Sequence, residues 1–103
     1  MIVSFNFYYA RPGLAGAVLQ QRLRASEVRV QMKVPYGRVM KRTAGVDELP
    51  DVIWEHEFAE VAGHHADMAA RAASSEFEAI RAGMRPLLRR LRSRIWQPIF
   101  LGR

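Results

Sequence analysis

The sequence predicts an α+β domain, a four-stranded antiparallel sheet with two helical regions on one face, and three observations carry that reading. Residues 2–9, IVSFNFYY, are rich in aromatic and β-branched types and open with an apolar–polar alternation, as a strand does. Residues 52–61, VIWEHEFAEV, share that character. Stretches with apolar residues at helical spacing follow each of them, so that strand, helix and strand occur twice in two halves of nearly fifty residues.

The first strand ends before Pro12, and LAGAVLQQRLRAS follows as a helix, because proline is tolerated in a first turn and Leu14, Val18, Leu19 and Leu23 recur on one side. Ser26 closes that helix. Residues 28–34, VRVQMKV, alternate without a fault and predict a second strand, with Val28, Val30, Met32 and Val34 on one face and Arg29, Gln31 and Lys33 on the other. Pro35 and Gly37 bend or bulge it before residues 39–42 continue.

The polar segment 44–51, AGVDELPD, links the halves and leads into the third strand. A second helical region begins near His64 and is renewed at Ser75, where Ser-Glu-Phe-Glu has the S-x-x-E spacing of a capping box. Phe77, Ile80, Met84, Leu87, Leu88 and Leu91 then share one stripe, with arginines on the other side and a kink expected at Pro86. The last strand, residues 94–101, accepts Pro98 only at a sheet edge or a bulge.

A chain of 103 residues, half of them hydrophobic, makes one compact domain, residues 1–103, with a modest core. Without cysteine it has no disulfide, no thiolate metal site and no cysteine nucleophile. The longest apolar-and-glycine run, residues 13–19, is far short of the roughly 20 residues that span a bilayer. The opening MIVSFNFYYARPG lacks the pattern of a signal peptide. The expectation is a soluble, cytoplasmic protein with no membrane contact. No nucleophile motif, glycine-rich phosphate loop or dinucleotide fingerprint is present, so no cofactor is expected.

The net charge of +6 is unevenly spread. Residues 1–43 hold eight basic side chains and one acid, residues 44–78 hold nine acids and Arg71, and residues 79–103 hold seven arginines and no acid. Such complementary blocks pair across strands and helix faces within a small domain. The competing reading is an anion-binding patch at Arg85, Arg89, Arg90, Arg92 and Arg94.

The element order is that of a ferredoxin-like βαββαβ domain. Its other sheet face has no helix over it, and a symmetric homodimer is the common way to cover such a face. With its aromatic first strand FNFYY, its third strand WEHEF and its helix SSEFEAIRAGMRPLL, the chain resembles the dimeric α/β-barrel superfamily. That superfamily takes in antibiotic-biosynthesis-type monooxygenases, stress-responsive barrel proteins and NIPSNAP-like proteins. The resemblance implies two sheets facing each other across a dimer and a lumen, between sheet and helices or between the sheets, with small organic ligands held there. It implies no single reaction.

Assigning faces gives the candidate residues. Burying two unpaired carboxylates beneath helices costs several kcal/mol in order of magnitude, so Trp54, His56 and Phe58 belong under the helices while Glu55 and Glu57 face outward. Val3, Phe5 and Phe7 read as core, leaving Ser4, Asn6 and Tyr8 on the open side. A small organic molecule would then meet Asn6, Tyr8, Arg29, Lys33, Glu55 and Glu57 there, with Glu55 or Glu57 as a general base. The same groups also make a plain cross-strand ion network at a dimer seam.

Residues 54–70, WEHEFAEVAGHHADMAA, concentrate all three histidines. His56, between Trp54 and Phe58, reads as a core histidine. His64 and His65 point about 100° apart on a helix and cannot both easily bind one ion, so no metal is expected; either suits a pocket-rim acid or base. Two functions fit: a small-molecule-binding barrel, with cofactor-independent oxygenase or isomerase activity within its range, or a non-enzymatic dimeric module. Nucleic-acid binding fits less well, since the aromatics lie mostly on predicted core faces and do not interleave with the basic stripe.

Overall fold

The computed structural model of the chain describes residues 1–45 and 48–99. The elements run β1 (Ile2–Ala10), α1 (Ala15–Met32), β2 (Arg38–Lys41), β3 (Val52–Phe58), α2 (Val61–Ala72), α3 (Ser75–Met84), a short 3-10 turn (Arg85–Leu87) and β4 (Leu88–Trp96). The four strands form one antiparallel sheet in the order β2-β3-β1-β4, the ferredoxin-like arrangement, with the helices on one face. No helix is long and apolar enough to cross a membrane.

The largest correction concerns residues 28–34. VRVQM is the end of an 18-residue helix, and the second strand is the later segment RVMK. The buried stripe of α1 is Val18, Arg22, Ala25, Val28 and Arg29, a helical period in which two core positions are arginine. Ser26 lies inside the helix, which stops at Lys33 in the left-handed conformation, φ 57°. Val34 N–H then bonds back to the Arg29 carbonyl at 3.2 Å.

The second helical region divides at residues 73–74. Ser74 caps α3, its Oγ accepting from Phe77 N–H at 3.1 Å, one residue before the expected cap at Ser75. Pro86 ends this helix: the 3-10 turn around it hands the chain to β4, so Leu88 and Leu91 are strand residues. The last strand thus starts earlier than expected and stops before Pro98; residues 100 and 101 of the expected strand lie outside the described residues.

Register fixes the faces. Asn6 pairs with Trp54 and Ser93, and Tyr8 with Val52 and Leu91. Trp54, Val52 and Tyr8 are buried with Val18 and Met84, so this set faces the helices. A second cluster, Ala25, Val28 and Phe77, joins α1 to α3. Trp54, His56 and Phe58 lie under the helices as expected, with Glu55 and Glu57 on the other side. On β1 the expected faces are exchanged: Ser4, Asn6 and Tyr8 face the helices, and Phe5 and Phe7 stack on the open face with ring centroids 5.5 Å apart.

One turn limits residue choice strongly. Gly37 has φ 65°, and a β-carbon there would sit 2.4 Å from the Glu55 carbonyl oxygen and 2.6 Å from Trp54 Nε1. That indole nitrogen donates to the Tyr36 carbonyl at 2.8 Å, so the tight turn seats Trp54 in the core.

Candidate functional site

α1, α2 and α3 do not seal the whole sheet face. Two adjoining cavities remain between them and strands β1 and β4. The first, about 100 Å³, is lined by Tyr8, Arg22, Phe77, Met84 and Leu88 among others. The second, about 140 Å³, is lined by Ser4, Trp54, His64, Asp67, Arg94 and Ile95 among others. Asn6, Arg71 and Ser93 line both and mark where they meet. Each is of the order of the roughly 150 Å³ cavity that holds a benzene ring. Leu91 and Ile95 on β4 are half-exposed, so the cleft opens along that edge.

The electrostatics of the cleft come from arginines at positions that packing made interior. Arg29 is fully buried (0% exposed) and forms a two-pronged ion pair with Asp67, Nη1 to Oδ1 at 2.8 Å and Nη2 to Oδ2 at 3.2 Å. Its Nη1 also donates to the Pro35 carbonyl at 2.9 Å. Its guanidinium carbon lies 4.4 Å from the Trp54 ring centre and 5.2 Å from that of Phe77.

Arg22 is 3% exposed and has no ion pair among the described residues. Its contacts are to hydroxyls, Nη1 donating to Tyr8 Oη at 3.3 Å and Nη2 to Ser26 Oγ at 3.4 Å. Both are longer than the roughly 2.7–2.9 Å of a charge-assisted bond, and its Nε has no partner among the described residues. Burial holds the Arg22 pKa below its ordinary value. Arg71, in the last turn of α2, likewise has a buried Nε without a partner. Its pKa is lowered by burial first and then by the charges of Arg29 and Arg81. His64 has a buried Nδ1 without a partner among the described residues, and burial followed by His65 lowers its pKa, leaving the imidazole neutral at pH 7.

The sequence-predicted residues separate into groups. Asn6 and Tyr8 come together in the cleft, Asn6 Nδ2 donating to Tyr8 Oη at 3.4 Å and Asn6 Oδ1 accepting from Ser93 Oγ at 2.8 Å. Arg29 is buried on α1 and Lys33 caps that helix, so neither shares the open face with the glutamates. Glu55 pairs instead with Arg38 of β2, and Glu57 is exposed. His64 lines the cleft, while His65, exposed one residue on, does not line either cavity. Arg22, Arg71 and Ser93 were missed. The signal for Arg22 and Arg29 was their spacing of seven on the stripe begun by Val18. Among the described residues no group of three His, Asp or Glu side chains could hold a metal ion.

Fold and cleft together define an α+β protein of the ferredoxin-like kind with a partly open cavity between sheet and helices. Its architecture matches that of NIPSNAP-domain and antibiotic-biosynthesis-monooxygenase structures. An uncharacterized NIPSNAP domain protein from Burkholderia xenovorans aligns over 100% of both chains at a TM-score of 0.76 and 18% identity. A NIPSNAP family protein from Agrobacterium tumefaciens aligns over 94% of this chain and 91% of its own at 0.75 and 19%. An antibiotic biosynthesis monooxygenase aligns over 96% and 99% at 0.69 and 12%. At these identities the likeness is one of fold. No protein-family model matches the chain, and no curated protein matches it in sequence.

Proposed function

We propose that the chain binds a small organic molecule in the cleft between sheet and helices, and that it does so as a homodimer paired through the open sheet face. The observation that carries the first part is the meeting of two cavities at Asn6, Arg71 and Ser93, polar groups set beside the apolar walls of Phe77, Met84 and Leu88. The second part is supported by the stacked Phe5 and Phe7 and by Trp96, 60% exposed, on a sheet face with no helix over it.

Catalysis has a specific foothold in His64. His64 lines the second cavity with a neutral imidazole and, once a ligand reaches it, would take a proton from a ligand carbon, the first step that an isomerase and a cofactor-independent oxygenase share. Replacement by Gln would then abolish turnover while leaving ligand affinity in place.

A fragment screen by ligand-observed NMR tests the binding reading. Fragments that bind the wild type are expected to lose binding in Leu91→Trp, which fills the cleft mouth, and to keep it in Glu57→Gln on the open face. The opposite pattern would move the site to the open face.

A further inference from the structure

The first cavity is chemically one-sided. Four arginines line it, Arg22, Arg71, Arg81 and Arg85, and among the described residues no Asp or Glu does. Arg81 pairs with Glu78 at 2.9 Å. Arg29, packed over the same Phe77 ring as Arg71, takes both oxygens of Asp67. Arg22, Arg71 and the exposed Arg85 are left without an anionic partner among the described residues, and of these Arg22 and Arg71 are the two drawn in from solvent.

The neutral polar groups are committed as well. Tyr8 Oη is approached by two donors, Arg22 Nη1 at 3.3 Å and Asn6 Nδ2 at 3.4 Å, so its own proton is directed elsewhere. Asn6 Oδ1 already accepts from Ser93. Buried N–H groups without acceptors are rare in folded proteins, and here two of them, Nε of Arg22 and Nε of Arg71, belong to side chains that line one cavity and have no partner among the described residues. The wall also includes Phe77, Ile80, Met84 and Leu88, all apolar.

We propose that the ligand of this cleft is a small organic monocarboxylate with an aromatic or branched apolar body, its carboxylate held by Arg22, Arg71 and the Tyr8 hydroxyl and its body against Phe77, Met84 and Leu88. The inference rests on the cleft being the binding site and adds the ligand's charge and shape. A planar guanidinium fork matches a carboxylate better than a point charge does. A body the size of one ring suits a cavity of about 100 Å³. Phosphate would leave the apolar wall without a contact.

Heteronuclear NMR titration at pH 7 tests this with benzoate, its neutral isostere benzamide, and inorganic phosphate. Arg71→Gln is the variant of choice because Arg71 is half-buried and its loss leaves the Arg29–Asp67 pair intact. The expected result is benzoate binding in the cleft, with benzamide and phosphate each weaker by about tenfold or more, and benzoate weakened by a similar factor in Arg71→Gln and partly restored in Arg71→Lys. Benzamide binding as tightly as benzoate would overturn the charge assignment and keep the cleft as the site. Phosphate matching benzoate would overturn the apolar body. Failure of benzoate, benzamide and every neutral aromatic fragment to shift cleft resonances would remove the cleft itself.

Discussion

Arg29 and Asp67 are 38 residues apart in the chain and meet in a two-pronged ion pair that ties α1 to α2 away from solvent. A buried pair is weak evidence of net stabilisation, yet removing one member leaves a charge with nothing to balance it. Asp67→Ala is therefore expected to cost about 3–5 kcal/mol. The double change Arg29→Met with Asp67→Leu should cost much less. Urea denaturation of the three proteins checks both, and equal losses in single and double variants would show that the pair acts through packing alone.

Arg22 should behave in the opposite way. Its guanidinium is buried with only long bonds to hydroxyls, so Arg22→Met removes an unbalanced charge and breaks no ion pair. The expected outcome is a raised unfolding midpoint together with lost ligand binding. A loss of stability beyond about 1 kcal/mol would mean that its hydrogen bonds outweigh its desolvation.

Acid should weaken the fold in two stages. His56 and His64 lie below the ordinary imidazole value of 6.5, in each case chiefly through burial. The unfolded chain then binds protons that the folded one refuses, so stability is intact above that pH and falls as pH drops below 6.5. Asp51 adds the second stage. Burial alone would raise its carboxyl, but the Ala10 N–H at 2.8 Å and Arg42 at 2.9 Å outweigh that and hold it below 3.8. Its contribution is lost as pH falls through that lowered value. Thermal unfolding from pH 8 to pH 3 should show both stages, and His56→Gln with His64→Gln should flatten the first.

Phe77 is 1% exposed and packs between α1 and α3, so Phe77→Ala should cost about 3–5 kcal/mol. Leu87, half-buried in the 3-10 turn, should cost less on the same change. Unaltered thermal stability in Phe77→Ala would show that the α1–α3 contact is not part of the cooperative core.

Sedimentation at micromolar concentration should give twice the chain mass of 11.8 kDa. Phe7→Glu, which puts a charge beside Phe5 on the open face, should shift the population to monomer. A wild-type protein that stays monomeric at that concentration would sink the dimer.

How much of this was legible in the sequence depended on whether polarity and burial agreed. β1 and β3 were readable because their aromatic and β-branched residues are also strand formers. The face of β3 was readable because carboxylates cannot be hidden unpaired. Residues 28–34 misled for the converse reason: Arg22 and Arg29 occupy interior helix positions, and a stripe with arginine in it does not look apolar. Removing them from the stripe left VRVQMKV to be judged by its period of two, although Val30 is exposed in the helix. The faces of β1 were exchanged by the same logic, since Phe5 and Phe7 look more like core than Ser4, Asn6 and Tyr8. The resemblance implied a lumen, but its polar lining was not legible for that reason, since Asn6, Arg22 and Ser93 face inward.

The chain's two tryptophans lie in contrasting places. Trp54 is 2% exposed, lines the second cavity, and has the guanidinium carbons of Arg22 and Arg29 at 5.3 Å and 4.4 Å from its ring centre. Trp96 stands 60% exposed at the end of β4. The protein therefore carries two native indole fluorophores in separate surroundings. Neutralising Arg22 would alter the electric field on the Trp54 indole and so its emission, whereas self-association would dehydrate Trp96 and move its emission to the blue. With Trp96→Phe as the single-fluorophore control, one unlabelled sample can report ligand uptake and subunit pairing as distinct optical signals.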